Sequence, residues 1–506
     1  MPSALVKSFI VAVAGLVLAL YFGSLVGNGQ WMMPTAIAGL IVLSGMYIIF
    51  FRVVRLEALI LGFLLFGYIV GNRGFAQISL SQQAPLYVGE LGMLTCLGLL
   101  GSRLALNRER LVPRTGLSMA IIVLLLLGAG RLLTDLTLNV NNAPTVTIIR
   151  DSAAVYYALF FFIGYSIGTN PVGRRLVERC VLAGCLALLP VLIIQFFVAP
   201  DLFTRITLHG YPLIWQKGDL TATYLALASF FFFLQPARGL ARLFLRSLAM
   251  LFFLGILVVT SRAAIFGYAV AAALAIAARR SQLVIAQVTA AVVALIIAAA
   301  LQFGQVDRQN TELKRVTDKL ESMTDISGSH SYHGEVGDYS SANNQFRMVW
   351  WQSVFDETMR KGPIFGLGFG YDLAASFIKN YYSNLYENFE ARSPHSIWLT
   401  MLGRMGLMGL IVFTVIVFLI IRDAFRAARK VAHGEAPPNS LAFWTGALII
   451  LGSASFGVVL EGPMGGILFW SFVGLAASQS ETVATKKVPV VTAEPEVRPR
   501  QVILAR

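Results

Sequence analysis

Long apolar segments separated by short polar connections make up most of this chain of 506 residues. Each segment is of roughly the length, about 20 residues, that a helix needs to cross the hydrocarbon core of a bilayer. Fourteen segments fit this description: 8–27, 32–51, 56–71, 86–102, 116–133, 151–169, 177–198, 219–234, 247–261, 263–278, 282–302, 396–421, 441–459 and 464–479. Several are short or barely separated, so the pattern predicts an all-α polytopic membrane protein with about 12–14 transmembrane helices. The first segment lacks a clear small-residue cleavage site, and we expect a retained helix there rather than a signal peptide.

One large polar stretch interrupts this apolar pattern, and it divides the chain. We predict four regions: an N-terminal transmembrane bundle over 1–302, a large loop over 303–395, C-terminal transmembrane helices over 396–479, and a tail over 480–506. The tail mixes Lys, Glu, Pro and Val, a composition that favours disorder.

The second half of the large loop is predicted to be partly helical. Apolar residues recur at helical spacing over 343–361 and predict an amphipathic helix, which Gly362-Pro363 would end. The aromatic-rich segment 371–390 suits a second interfacial helix. The glycine turn 366–370 between them lacks the preceding strand and following helix that a dinucleotide fingerprint requires, so we do not interpret it as one.

Charge supports the membrane class and suggests an orientation. Only 13% of the residues are charged and 57% are hydrophobic, whereas soluble domains carry about 25% charged residues. The net charge of +14 would suit nucleic acid, but nineteen basic residues fall in the short connections on one side. This bias is typical of cytoplasmic connections, so we expect no nucleic acid, cytoplasmic termini and a periplasmic 303–395 loop in a bacterial inner membrane.

Three residues on the predicted periplasmic side are candidates for chemistry. His395 stands where the loop meets the next apolar segment, and an imidazole that titrates near neutrality can accept a proton from a sugar hydroxyl. Arg262 lies between two apolar segments with almost no loop to expose it, so it should face a polar interior. Arg347 lies on the predicted amphipathic helix, and a guanidinium pairs well with phosphate oxygens.

Other cations on that side have weaker claims. Arg205 and Lys217 lie in the connection 199–218, which would fold over the same site. A single arginine at a membrane edge also has a simpler explanation, snorkelling to lipid headgroups. Arg404 lies within a predicted span, and we expect a structural ion pair there, with Glu461 as the suggested partner.

The sequence predicts no metal site and no cofactor. His330 and His333 form an H-x-x-H pattern, but they lie in a Ser/Gly-rich stretch with no helical periodicity. The three cysteines lie in or beside apolar segments, so we expect neither a disulfide nor a cysteine-based metal site.

The motifs around these residues resemble the bacterial O-antigen ligase and polysaccharide polymerase family over roughly residues 200–425. Three pieces carry the resemblance: Ser261-Arg262-Ala263; Arg347 to Trp351 followed by Pro363 to Gly370; and Pro394-His395-Ser396-Ile397-Trp398-Leu399 leading into Gly403 to Gly409. Many relatives have Asn where Ser396 stands, a mild departure from the pattern.

The resemblance implies a membrane glycosyltransferase that inverts its sugar and uses no metal. Its donor would be a glycan on undecaprenyl pyrophosphate, and its acceptor a lipid A-core sugar or a growing glycan. His395 would activate the acceptor, and Arg262 and Arg347, with Arg205, would hold the pyrophosphate. Lipopolysaccharide and exopolysaccharide biosynthesis are both compatible with this chemistry, because a ligase and a polymerase need the same base and the same phosphate contacts.

Two other classes remain open from the residues alone. A transporter or flippase of lipid-linked glycans would also use interior arginines, but it would be expected to show repeat symmetry and would not need His395. In a structural membrane protein the outer cations would be incidental. Membrane lipids are partners in every case.

Overall fold

The computed structural model of the chain describes residues 55–79, 86–107, 113, 115–199, 201–208, 210–259, 261–303, 335–381 and 392–485. The described residues are almost entirely helical, which confirms an all-α polytopic membrane protein. The predicted spans 8–27 and 32–51, the H-x-x-H pattern and most of the tail lie outside them.

The helices before the large loop follow the apolar segments closely. They are α1 (Leu56–Gly71), α2 (Arg73–Ala76), α3 (Val88–Asn107), α4 (Gly116–Leu138), α5 (Thr145–Asp151), α6 (Ala153–Tyr156), α7 (Leu159–Gly168), α8 (Pro171–Ile193), α9 (Leu202–Arg205), α10 (Gly218–Leu234), α11 (Gly239–Val259), α12 (Arg262–Ala277) and α13 (Ser281–Phe303). A π-helical turn, Ile194–Val198, extends α8, and two short antiparallel strands, β1 (Thr207–Leu208) and β2 (Tyr211–Pro212), lie between α9 and α10.

The helices of the loop and of the C-terminal region complete the fold. They are α14 (Glu335–Lys361), α15 (Ala375–Tyr381), α16 (Ile397–Ala432), α17 (Ala442–Ala454) and α18 (Pro463–Thr485), with a 3₁₀ turn at Pro438–Leu441. Helix α14 covers the helix predicted over 343–361, with Trp350 and Val354 buried and Gln352 and Asp356 exposed, but Phe355, predicted to lie on an apolar stripe, is exposed. The second interfacial helix was predicted over 371–390. The structure describes α15 within that segment, and residues 382–391 lie outside the described part.

Five of the described helices are long and apolar enough to cross a membrane: α3, α4, α8, α11 and α16. The helices α5 to α7 would make one further span, bent by 40° near Tyr156. Helices α1, α10, α12 and the first half of α13 are apolar but shorter.

Capping residues explain where several helices begin. The Asn170 side chain accepts hydrogen bonds from the backbone at the start of α8, and Pro171 follows at the first helical position. The Ser261 hydroxyl accepts a hydrogen bond from the Ala264 N–H at 3.4 Å. This cap separates α11 from α12, two segments that the apolar pattern barely divides, and places Arg262 at the first position of α12.

Glycines allow the central helices to approach one another closely. Gly164 on α7 and Gly474 on α18 each lie against the backbone of the other helix, and Gly267 on α12 meets Gly452 on α17. Without a hydrophobic driving force between helices in lipid, such close packing is a main source of their association. These contacts fix α12 and α17, whose ends reach the candidate site.

Candidate active site

His395 lies in the short connection that enters α16, in a backbone conformation that few residues other than glycine adopt. Its φ is 56°, and its N–H donates a hydrogen bond to the Ser393 hydroxyl at 3.3 Å. The Trp351 indole N–H donates to the Pro394 carbonyl at 2.5 Å, and the Trp350 ring meets the imidazole edge-on at 5.7 Å. Helix α14 thereby holds the half-buried imidazole in place.

Arg347 lies on α14 one turn before these two tryptophans, and it reaches the connection between α17 and α18. Its guanidinium donates to the Phe456 carbonyl at 2.8 Å. The Trp351 ring lies 6.3 Å from the Phe456 ring, and the Trp398 indole N–H donates to the Ser455 hydroxyl at 3.0 Å. The turn after α17 therefore contacts both the helix that carries Arg347 and the helix that follows His395.

The helix of Arg262 reaches the same turn. Phe266, one turn along α12 from Arg262, packs edge-on against Phe456 with ring centroids 5.3 Å apart. Arg262 is half-buried at the start of that helix. Phe456 thus joins the segments of two predicted site residues, Arg262 and Arg347, although it lies 31 residues beyond the end, at residue 425, of the resemblance seen in the sequence.

The connection before α10 also reaches this site, through residues other than Arg205. The charges of Lys217 and Asp219 act on His395, and that of Asp219 acts on Arg347. Arg205 ends α9 with an exposed side chain, and within the described residues it makes no hydrogen bond or ion pair with the other three candidates. His209 lies outside the described residues.

Burial makes the imidazole of His395 a neutral group. It lowers the pKa of His395 to about 4, helped by the positive charges of Arg347 and Lys217 and opposed by Asp219. The pKa is therefore not the near-neutral one expected from residue type. Burial also lowers the pKa of Arg347, with Asp219 acting in the opposite direction, but a guanidinium stays protonated at any physiological pH. The His395 imidazole, a neutral base, and the Arg347 guanidinium, a permanent cation, therefore lie close enough for the charge of one to act on the other.

The glycine turn 366–370 docks into a break in α16. Gly406 has φ 66° and interrupts the helix, so backbone groups on either side lose their helical partners. The turn replaces them: the Leu407 N–H donates to the Pro363 carbonyl at 2.9 Å, and the Gly403 carbonyl accepts from the Leu367 N–H at 2.7 Å. A Cβ on Gly366 would overlap the backbone of residues 404–406, so this docking requires glycine.

Two carboxylates from the N-terminal bundle hold the same turn. Asp135 on α4 accepts from the Phe369 N–H at 2.7 Å, and Asp151 on α5 accepts from the Gly370 N–H at 2.9 Å. Arg131 pairs with Asp135 at 3.1 Å, so an ion pair explains this cation better than snorkelling does. The turn is thereby fixed between the two halves of the molecule.

Arg404 confirms the structural ion pair expected within α16, but its partner is Asp151, at 2.9 Å, and not Glu461. Its guanidinium also donates to the Gly368 and Tyr371 carbonyls. Glu461 accepts instead from the Thr400 hydroxyl at 2.9 Å. The pairing with Asp151 could not be read from the sequence, because it joins positions 253 residues apart.

Replacing Arg404 by alanine should destabilise the protein strongly. Arg404 is 4% exposed, and its loss leaves the Asp151 carboxylate with the Gly370 N–H and only one cation, Arg392, at 3.3 Å. Breaking a buried pair costs about 3–5 kcal/mol, whereas an exposed pair contributes about 0–1 kcal/mol. Arg426→Ala, which removes an exposed pair with Asp423 in the same helix, is the matched control. Thermal unfolding in detergent measures both, and equal midpoints would refute the role given to Arg404.

A comparison with protein families gives one match. The family described as O-antigen ligase matches residues 247–414, a segment that contains Arg262, Arg347, His395 and the break at Gly406. The match covers about a third of the chain and includes neither Asp151 nor Phe456. No curated protein matches the chain.

Proposed function

Because the chain carries an O-antigen ligase domain over residues 247–414, we propose that it transfers or polymerises glycan from undecaprenyl pyrophosphate onto a sugar hydroxyl at the periplasmic face of the inner membrane. One observation carries the proposal. A neutral imidazole, His395, and a half-buried guanidinium, Arg347, are held by the same helix α14 at one region of the surface. Acyl, phosphoryl and glycosyl transfers all need a base and a group that stabilises charge. The match to the O-antigen ligase family favours glycosyl transfer among them.

The reaction divides the work between these groups. His395 takes the proton of the acceptor hydroxyl as its oxygen forms a bond to the anomeric carbon of the donor sugar. The bond from that carbon to the pyrophosphate oxygen breaks, and its electron pair leaves with the pyrophosphate. Attack from the face opposite the leaving group inverts the anomeric centre. Arg347 and Arg262 stabilise the charge that develops on the departing pyrophosphate.

The cations also explain why the proposal needs no metal ion. Two guanidinium groups and the Lys217 ammonium supply positive charge where a metal-nucleotide enzyme would place a divalent ion. The acceptor is a lipid A-core sugar in a ligase and the growing glycan in a polymerase, and the proposed chemistry is the same for both.

A transfer assay with the purified protein tests the proposal. The protein in detergent is given an undecaprenyl-pyrophosphate-linked glycan and a sugar acceptor, with EDTA present. We expect a new glycosidic linkage of inverted configuration and one released undecaprenyl pyrophosphate per linkage. A transporter would leave the donor intact, and a requirement for magnesium would overturn the metal-independent mechanism. A monophosphate-linked glycan, which has a poorer leaving group, serves as the matched donor control.

The pH dependence should differ between the free protein and the donor complex. The proton-accepting form of His395 is lost as the pH falls through its pKa, so kcat/KM should stay level from neutral pH and fall only near pH 4. A bound pyrophosphate would offset the charges of Arg347 and Lys217 and raise the pKa, so kcat should fall at a higher pH than kcat/KM. Initial rates across a pH series give both curves; a fall in kcat/KM near pH 6.5 would show an unperturbed imidazole.

The orientation in the membrane can be tested by cysteine labelling in intact cells. We expect Ser329→Cys to react with a membrane-impermeant maleimide and Thr492→Cys to react only after the cells are opened. The wild-type chain, whose Cys96 and Cys185 are buried and whose Cys180 is half-buried, gives the background. Labelling of Thr492→Cys alone in intact cells would reverse the orientation.

A further inference from the structure

A cavity lies at the end of the helix bundle opposite the candidate active site. Helix α10 begins beside the site with Asp219 and ends near Phe233, and α11 returns from there towards Arg262. Helix α12 runs away from the site again, and α13 starts at its far end with Ser281. A 17-residue helix such as α10 is about 25 Å long, so the cavity and the site lie near opposite faces of a membrane.

The cavity is apolar inside and polar at its mouth. Its volume is about 80 Å³, enough for one small group, and its lining includes Phe233, Arg246, Met250, Gln282 and Leu283. The guanidinium of Arg246 lies 5.3 Å above the centre of the Phe233 ring. This cation–π contact holds the charge at the mouth, where it can reach an anion.

The polar group deepest in the cavity is already satisfied by the protein. Gln287 is 1% exposed; its side-chain carbonyl accepts from the Tyr268 hydroxyl and its amide donates to the Ser229 hydroxyl. Hydrogen bonding to a ligand therefore depends on Arg246 and Gln282 at the mouth. The interior of the cavity can receive only apolar groups at low cost.

The charge around the mouth is of one sign. The sequence has no Asp or Glu between residues 220 and 306, while Arg238, Arg242, Arg246, Arg279 and Arg280 belong to the helix ends at this face. Glu178 on α8 comes near, but it accepts a hydrogen bond from Gln235 at 2.9 Å. Unopposed guanidinium groups next to an apolar cavity favour an anionic amphiphile.

The surfaces beside the cavity are apolar and exposed. On α11, Leu243 and Phe244 are each 62% exposed, and on α13 Ile285 and Val288 are at least half exposed. These surfaces can contact acyl chains while Arg246 contacts a headgroup. We propose that the mouth of this cavity, at Arg246 and Gln282, binds the phosphate of an anionic phospholipid in the leaflet opposite His395.

Lipid retention in native mass spectrometry tests the proposal. The full-length protein is taken from vesicles of phosphatidylcholine with one-fifth phosphatidylglycerol, and the bound lipids are counted. We expect wild type to retain phosphatidylglycerol preferentially and Arg246→Ala to lose about tenfold of that preference. The headgroup of phosphatidylglycerol has a net negative charge that Arg246 offsets, whereas phosphatidylcholine carries its own cation beside the phosphate. Arg242→Ala, one turn away and outside the lining, should change the preference less than twofold.

Three results would overturn the proposal. Arg246→Ala could retain phosphatidylglycerol like wild type, or Arg242→Ala could lose as much, which would reduce the effect to general surface charge. Inorganic phosphate could raise the thermal midpoint of the lipid-free protein as much as phosphatidylglycerol does, which would identify a free-ion site. If Arg246→Ala does not fold, Arg246→Gln, which keeps a polar side chain and a donor but loses the charge, replaces it, with the same expected loss and the same contrary result.

Discussion

Replacing His395 by alanine should lower turnover by about a hundredfold or more while donor binding persists, because general-base catalysis contributes about 10²–10⁴ in rate. In the proposed mechanism the donor would be held by guanidinium groups on other segments, which this substitution leaves in place. The transfer assay measures the loss of turnover, and a separate binding measurement shows whether donor affinity persists.

Two further variants make the His395 test specific. His395→Asn tolerates the left-handed backbone at this position and keeps a polar side chain, yet it cannot act as a base, so it should be as inactive as the alanine variant. His433→Ala, at the other end of α16, should retain full turnover. Near wild-type turnover of His395→Asn would leave His395 a structural role only.

Replacing Arg347 by alanine should reduce kcat/KM by the loss of one charge-assisted contact to the leaving pyrophosphate, about 2–4 kcal/mol. The Lys variant should recover only part of that loss, since an ammonium lacks the planar fork of a guanidinium. Arg360→Ala, on the same helix and exposed, should leave kcat/KM unchanged. Arg347→Ala also removes the hydrogen bond to the Phe456 carbonyl, and the thermal midpoint of the variant measures how much stability that loss costs, separately from kcat/KM.

Arg262→Ala is expected to show the same loss of kcat/KM, because Phe266, one helical turn along α12 from Arg262, packs on the turn that Arg347 contacts. Insertion into the membrane should be unaffected, since Ser261 still caps the helix. Full activity of Arg262→Ala in the purified assay would remove Arg262 from the pyrophosphate site and leave Arg347 with Lys217 there.

Much of the helical architecture could be predicted because membrane helices are apolar along their whole length. The segment 56–71 coincides with α1. The bend between α6 and α7 had none, because it depends on how neighbouring helices pack. Segment 151–169 therefore appeared as one span and is in fact broken.

The site could be predicted where a residue type is unusual for its position. A histidine at a membrane edge and an arginine between two spans stand out in any apolar sequence. Phe456 does not stand out, because an aromatic residue at the end of a span is ordinary. Its role becomes visible only in its contacts with α12 and α14. Asp151 gave a signal that was not used: an acid at the start of an apolar segment needs a cation, and Arg404 was the buried cation that needed a partner.

The lowered pKa of His395 also lay beyond sequence reasoning, because burial and the approach of Lys217 follow from tertiary packing. This environment has a cost, since a base with a pKa near 4 is weak at neutral pH. Donor binding would raise the pKa of His395 again, because the pyrophosphate would neutralise the cations that lower it. The base would then be strongest when a leaving group is present.

The turn that fills the break in α16 also reaches the surface of the protein. Ile364 and Phe365 at its tip are more than half exposed, and they lie beside the exposed Met408 and Ile411 of a helix apolar enough to cross the membrane. Their natural surroundings are acyl chains, so the bilayer itself bears on the loop that carries Arg347. The thickness of the hydrocarbon layer would thereby affect the proposed glycan transfer. A thinner or thicker membrane would shift Ile364 and Phe365 against α16, and the expected rates in the two membranes would differ.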